Sequence, residues 1–146
     1  MATTKRADVT WEGDLMSGEG TIDRVGSGAI ASLPVSWAAR TGEGRHELTS
    51  PEELIAAAHA SCFSMALSNV LAKAGTPPSR LNVSAEVTFV PGTGITTSGL
   101  EVEGEVPGID EAAFRAAAED AKENCPVSGA LKGNVEFLLT TRLANA

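Results

Sequence analysis

In ADVTWEG, the apolar residues Ala7, Val9 and Trp11 alternate with polar ones until Gly13 interrupts them. This is the period-two pattern of a half-exposed strand. GTIDRVGSG and LPVSWAAR predict two more short strands, with Gly26 and Gly28 in the turn between them, so the chain opens as an antiparallel meander. The polar, glycine-bearing TGEGRHELT predicts a loop. Alternation returns strictly from Leu81 to Phe89 and again from Leu100 to Val106, with PGTGITTSG between them as a loop or hairpin. Asp110 is placed to cap a helix over EAAFRAAAEDAKEN, whose Ala113, Phe114, Ala117 and Ala121 form one apolar stripe. CPVSGALKG puts Cys125 just before Pro126, the position of a cap on a short following helix, and NVEFLLTTRL predicts a closing strand.

The stretch SPEELIAAAHASCFSMALSNVLAKAG does not alternate. Ser50 is a good N-cap, Pro51 suits the first helical position, and Glu53 completes a capping box. Gly75 marks the stop, and Pro77 and Pro78 block continuation. The predicted helix runs from Pro51 to Ala74, about 36 Å at ~1.5 Å per residue. From Leu54 to Leu67 it is apolar on nearly every face, so burial all round is expected. One sheet of a small domain can hardly supply that cover, and a partner chain is expected to complete it. The order strands, buried helix, strands, helix, strand lacks βαβ alternation and predicts an α+β fold with antiparallel sheets.

Composition narrows the function. A chain of 146 residues suits one domain, residues 1–146, with a real core. A net charge of −8 argues against a phosphate-binding surface, and the scattered Lys and Arg residues form no membrane-binding face. No apolar run is expected to span a bilayer without interruption by Gly, Pro or polar residues. MATTKRADVTWEG has two basic residues but no apolar segment behind them, so no secretory leader is expected. The expected location is the cytoplasm, with neither nucleic acid nor membrane as partner.

Two cysteines in a reducing compartment are redox-active, metal-binding or simply buried. Cys62 sits on the apolar helix, where a thiol often serves only as a small hydrophobe. Its small neighbours Ala57, Ala58, Ala60 and Ser61 leave room for a ligand or another backbone. Cys125, at a predicted helix N-cap, is placed where backbone N–H groups favour a thiolate, although a purely structural cap is the plain alternative. Cys62, in mid-helix, gains little from the dipole, so a reactive Cys62 thiolate needs a cation from elsewhere. His59 shares a helix face with Cys62. With Cys125 the two could form a Cys2His metal site, but the paired-cysteine spacing of common zinc motifs is missing, and no metal or cofactor is expected. His59 can equally be a satisfied core histidine, and His46, in a polar loop, carries no signal.

TSPEELIAAAHASCFSMALS followed by AKENCPVSGAL closely resembles the OsmC branch of the OsmC/Ohr family of osmotically inducible and organic-hydroperoxide-resistance proteins. VTWEGDLMSGEGTI and EVPGIDEAAF extend the similarity over essentially the whole chain. The histidine of AAHASCF is similar to the OsmC branch, since the Ohr branch tends to have tyrosine there. The resemblance implies an OsmC-like domain in an intertwined homodimer with active sites at the interface. It also implies a thiol-dependent peroxidase that reduces organic hydroperoxides, and hydrogen peroxide less well. By motif position Cys62 would be peroxidatic and Cys125 resolving, the catalytic glutamate falls on Glu52, and the arginine falls on Arg40, with Arg45 as a rival. A lipoyl-type dithiol would reduce the resulting disulfide.

This chemistry suits the residue types. A thiolate attacks ROOH to leave a sulfenic acid, an arginine stabilises that thiolate and the departing oxygen, and a carboxylate holds the guanidinium through a bidentate pair. Glu52 and Cys62 lie ten residues apart, about 15 Å along one straight helix. Glu52 is therefore expected to serve Cys62 of a partner chain. The competing reading is a non-enzymatic redox-sensing or thiol- and metal-binding protein that uses the same cysteines.

Overall fold

The computed structural model describes residues 1–42 and 47–145; Arg45 and His46 lie outside them. Two compact units divide the chain, Met1–Leu54 and Ile55–Ala146.

In the first unit, β1 (Ala7–Glu12), β2 (Glu19–Val25) and β3 (Ala31–Val35) form the expected antiparallel meander in the order β1-β2-β3. Gly20, the second residue of β2, is a glycine because its neighbours leave no room for a side chain: a Cβ there would stand 2.6 Å from the Trp11 ring and 2.9 Å from Val35 Cγ2. LPVSWAAR is not one strand. It leaves the sheet at Val35, and Ser36 caps a single helical turn, α1 (Trp37–Arg40), by accepting the Ala39 N–H at 3.1 Å. A serine able to satisfy an orphan helix donor outweighs the strand propensity of the tryptophan. Thr49 then bridges to Val35 and leads into α2 (Pro51–Lys73).

Helix α2 starts as its punctuation predicts, with Ser50 Oγ accepting the Glu53 N–H at 3.2 Å. Only that half of the capping box forms, since the Glu53 carboxylate takes the Thr49 hydroxyl at 2.8 Å. The helix ends at Lys73, one residue before the expected Ala74. Gly75, at φ +84°, lets Thr76 N–H reach back to Leu71 C=O at 2.9 Å, while its own N–H takes Ala72 C=O, a Schellman stop.

In the second unit, β4 (Arg80–Val90), β5 (Gly94–Glu105) and β6 (Glu136–Leu143) form a sheet in the order β4-β5-β6. Two expectations are corrected here. PGTGITTSG is the hairpin of its two alternatives, and the strand expected from Leu100 begins already at Gly94, because the β-branched Ile95 and Thr97 pair with Phe89 and Thr88 of β4 across an irregularity at Thr96, leaving a three-residue turn, Pro91–Thr93. The sheets are also not wholly antiparallel. β6 pairs in parallel with β5, because α3 (Glu111–Asn124) and α4 (Pro126–Leu131) carry the chain across before it returns.

Along β5 and just past its end, every second residue from Ser98 to Val106 is buried. That row packs with Phe63, Leu67 and Leu71 of α2 and with Phe114, Ala118 and Ala121 of α3. Asp110 caps α3 as expected, taking the Ala113 N–H at 2.8 Å, but Ala113 is exposed and Ala118 takes its place in the stripe. Helix α2 is likewise not buried all round. His59, Phe63, Leu67 and Leu71, four residues apart, form its buried line, while Ala57, Ala58 and Ser61 are exposed and Met65 is 72% exposed. One sheet and one helix cover one side of a helix.

By length and composition α2 also passes as a membrane span, although polar residues, among them His59, Ser61 and Ser64, interrupt its apolar run as expected. Its buried line belongs to the core, and we read it as a core helix.

The Phe114 ring lies directly on Gly104, where a Cβ would stand 2.5 Å from Cζ and 2.6 Å from Cε1. Phe114 is fully buried and cannot step aside. Gly104→Ala is expected to cost about 1–3 kcal/mol through overpacking, read as a lower urea midpoint with an unchanged slope.

Candidate active site

Each cysteine is placed by local backbone rules. Cys62 follows His59 by three residues on α2. Cys125 is at once the C-cap of α3 and the N-cap of α4, in extended conformation with Pro126 opening the next helix. Its own N–H closes α3 on Ala121 C=O at 3.0 Å, and its Sγ accepts the Ser128 N–H at 3.3 Å. The cap read from CPVSG is therefore present. Cys125 is completely buried and Cys62 is partly buried, and both are free thiols.

The two thiols are close enough to act on each other electrostatically. Burial pushes the Cys62 thiol above its ordinary pKa of 9.0, the backbone N–H of Val127 opposes this by hydrogen bonding to the sulfur, and the adjacent Cys125 side chain raises it further, through a hydrogen bond and through its charge. Left to this environment, Cys62 holds its proton more tightly than an ordinary thiol. A thiolate there needs a compensating positive charge.

His59 is fully buried beside them and has a partner at each ring nitrogen: Ser98 Oγ lies 2.7 Å from Nδ1 and Ser128 Oγ 2.9 Å from Nε2. Ser128 Oγ in turn lies 3.0 Å from Cys125 Sγ. The Phe137 ring packs against the imidazole with centroids 5.2 Å apart. Burial pulls the His59 pKa below its ordinary 6.5, which favours the neutral ring. With both nitrogens bound to serines it is not disposed as a metal ligand, and among the described residues no group of three or more His, Cys, Asp and Glu side chains could hold a metal ion. Ser98 and Ser128 have no place in the sequence reading. The signal for Ser128 was present in the cap itself, since a serine at the third helical position stands beside its capping residue. Ser98 falls in PGTGITTSG, expected as a loop or hairpin, which carries no alternation from which to assign its facing.

In the first unit Arg40 and Glu52 are brought together. Arg40, the last residue of α1, donates from Nε to Glu52 Oε1 at 2.9 Å, and the Glu52 side chain is 7% exposed against 32% for Arg40. The expected bidentate pair is not what forms among the described residues: Glu52 Oε2 is buried there without a hydrogen-bond partner. The Arg40–Glu52 ion pair thus lies in the first unit and the two cysteines in the second.

A cap-held buried cysteine and a partly buried helical one thus lie in one unit of a mixed α+β chain. Residues 42–140 match the model of the OsmC-like protein family, and the chain belongs to that family. It is 41% identical over 138 residues to the peroxiredoxin OsmC of Escherichia coli (strain K12), covering 92% of this chain and 94% of that one. It is 32% identical over 135 residues to an organic hydroperoxide resistance protein of Xanthomonas axonopodis pv. citri, covering 88% and 85%. Its fold is similar to the crystal structure of an organic hydroperoxide resistance protein from Elizabethkingia anophelis with crystallant-derived thiocyanate bound. That match has a TM-score of 0.69 and 26% identity, and covers 97% of this chain and 99% of the other.

Proposed function

We propose that this protein is a cysteine-based peroxidase that detoxifies organic hydroperoxides, using Cys62 as the attacking thiol and Cys125 as the resolving one. The observation that carries this reading is the placement of two free thiols near enough for Cys125 to raise the Cys62 pKa, in a chain whose relatives are named for hydroperoxide resistance and as peroxiredoxin. Cys62 thiolate attacks one peroxide oxygen, the O–O bond breaks, and alkoxide leaves to become the alcohol. Cys125 attacks the resulting sulfenic acid, giving a disulfide and water. A dithiol of lipoyl type reopens that disulfide by exchange. The small, apolar residues around Cys62 favour alkyl and aryl hydroperoxides over hydrogen peroxide.

The Cys62 environment disfavours a thiolate, and the Arg40 guanidinium is the charge we assign to offset it. Glu52 orients that guanidinium. Ten residues of helix separate Glu52 from Cys62, so the pair is read as acting on Cys62 of a second copy, with two active sites at the interface of a homodimer. The exposed side of α2, with Met65 at its centre, supports a partner chain. The two compact units are read together as one OsmC-like domain, since the relatives align across both. A reducible disulfide cycle with an external dithiol suits the cytoplasm.

The test is intact mass and thiol count after one equivalent of cumene hydroperoxide, followed by dihydrolipoamide. The expected result is loss of two hydrogens and both thiols, reversed by the dithiol. Unchanged thiols in folded, reduced protein would mean that Cys62 only packs. Disulfide formation without sustained turnover would favour a redox sensor instead.

A further inference from the structure

The peroxidase cycle described above leaves one buried group without a task. His59 lies in the middle of a continuous chain of contacts, Ser98 Oγ to Nδ1, Nε2 to Ser128 Oγ, and Ser128 Oγ to Cys125 Sγ, at 2.7, 2.9 and 3.0 Å. A core histidine needs partners only for itself. Here the chain of contacts ends on the sulfur that must lose a proton.

We propose that His59 is a positioning residue and proton acceptor for Cys125, acting through the Ser128 hydroxyl to deliver the resolving cysteine as a thiolate. The proposal rests on the resolving role given to Cys125 above. In the resting state Nδ1–H donates to Ser98 Oγ, and Nε2 accepts the Ser128 hydroxyl, which itself accepts Cys125 S–H. When Cys125 ionises, its proton passes to Ser128 Oγ as the hydroxyl proton of Ser128 passes to Nε2. The thiolate is then held by two donors from one residue, the Ser128 N–H already present at 3.3 Å and the new Ser128 O–H. The thiolate pair attacks the sulfenic sulfur of Cys62, the S–S bond forms and the S–O bond breaks. The departing hydroxide regains the proton, by way of Ser128 or solvent, and leaves as water. Cys125 is oxidised as the sulfenic sulfur is reduced, so no outside electrons are needed.

The setting suits such a relay. Burial pulls the imidazole below its ordinary 6.5, which favours the neutral ring whose Nε2 is open to accept the Ser128 hydroxyl. The groups recorded against the ring are Ser98 of β5, Phe137 of β6, and Ser128 with Cys125 at the start of α4, while Cys62 lies three residues along its own helix. Only the two cysteines among them titrate.

The test separates the two half-reactions by rapid mixing from pH 5.5 to 9, following consumption of one equivalent of cumene hydroperoxide and then disulfide formation. Ser128→Ala and His59→Gln are expected to consume the first equivalent at close to the wild-type rate. They should form the disulfide more slowly, by roughly 10²-fold at neutral pH, the usual scale of a placed proton acceptor. The deficit should shrink as pH rises and hydroxide replaces the relay as the base. Phe137→Leu, which loosens the ring's packing but keeps both serine contacts, should leave the pH profile unshifted. A deficit equal at every pH, or one matched by Phe137→Leu, would make the network merely structural and overturn the proposal, as would wild-type disulfide rates in both relay variants. If wild-type protein itself forms no Cys62–Cys125 disulfide, it is the functional reading that fails.

Discussion

Cys62→Ser is expected to lower kcat/KM for cumene hydroperoxide by on the order of 10³-fold or more, the scale on which removing a covalent nucleophile acts. The serine hydroxyl has the shape of the thiol but cannot ionise in a site that already raises the pKa of a cysteine, nor can it take up a peroxide oxygen as sulfur does. Steady-state consumption with dihydrolipoamide measures the loss. Cys125→Ser gives the complementary result. Its Cys62 should still be oxidised once, but the sulfenic acid has no internal partner and proceeds to sulfinic acid under excess peroxide, visible by mass. Full turnover of Cys125→Ser with the same dithiol would remove the resolving role from Cys125.

Arg40→Met is expected to lower kcat/KM by about 100-fold, comparable to deleting one preorganised charge-stabilising donor. The sign in pH follows from the Cys62 environment. Burial, with the neighbouring Cys125, already raises that thiol, and losing the guanidinium takes away a charge that favours the ionised form. The alkylation profile of Cys62 should therefore move to higher pH. Partnership between chains gives a sharper readout. Arg40→Met and Cys62→Ser are each nearly inactive alone, but co-expression should restore about a quarter of wild-type activity. In a two-fold dimer with shared sites, about half the dimers are mixed and one of their two sites is intact. If each chain completes its own site, mixing restores nothing.

Local signals carried much of this structure. The strands of the opening meander, both ends of α2, the Asp110 cap of α3 and the Cys125 cap of α4 follow from residue types a few positions apart, because caps, stops and strand periods are short-range physics. The errors were local contests won by another short-range effect. Ser36 turned the end of β3 into a helical turn, and the β-branched Ile95–Thr97 drew glycine-flanked residues into β5.

What no local pattern could supply was pairing over distance. Parallel placement of β6 beside β5 depends on how α3 and α4 pack across the sheet, and the one-sided burial of α2 depends on which neighbours reach it. Cys62 and Cys125 are 63 positions apart and His59 and Ser98 are 39 apart, so their closeness depends on α2 lying over β5 and α4. The residue types alone determined which chemistry the chain can perform, two thiols, a histidine and an Arg–Glu pair. Tertiary packing decided which of them come together, because burial raises the Cys62 thiol, favours a neutral His59 and forces each polar group to find its partner inside the fold.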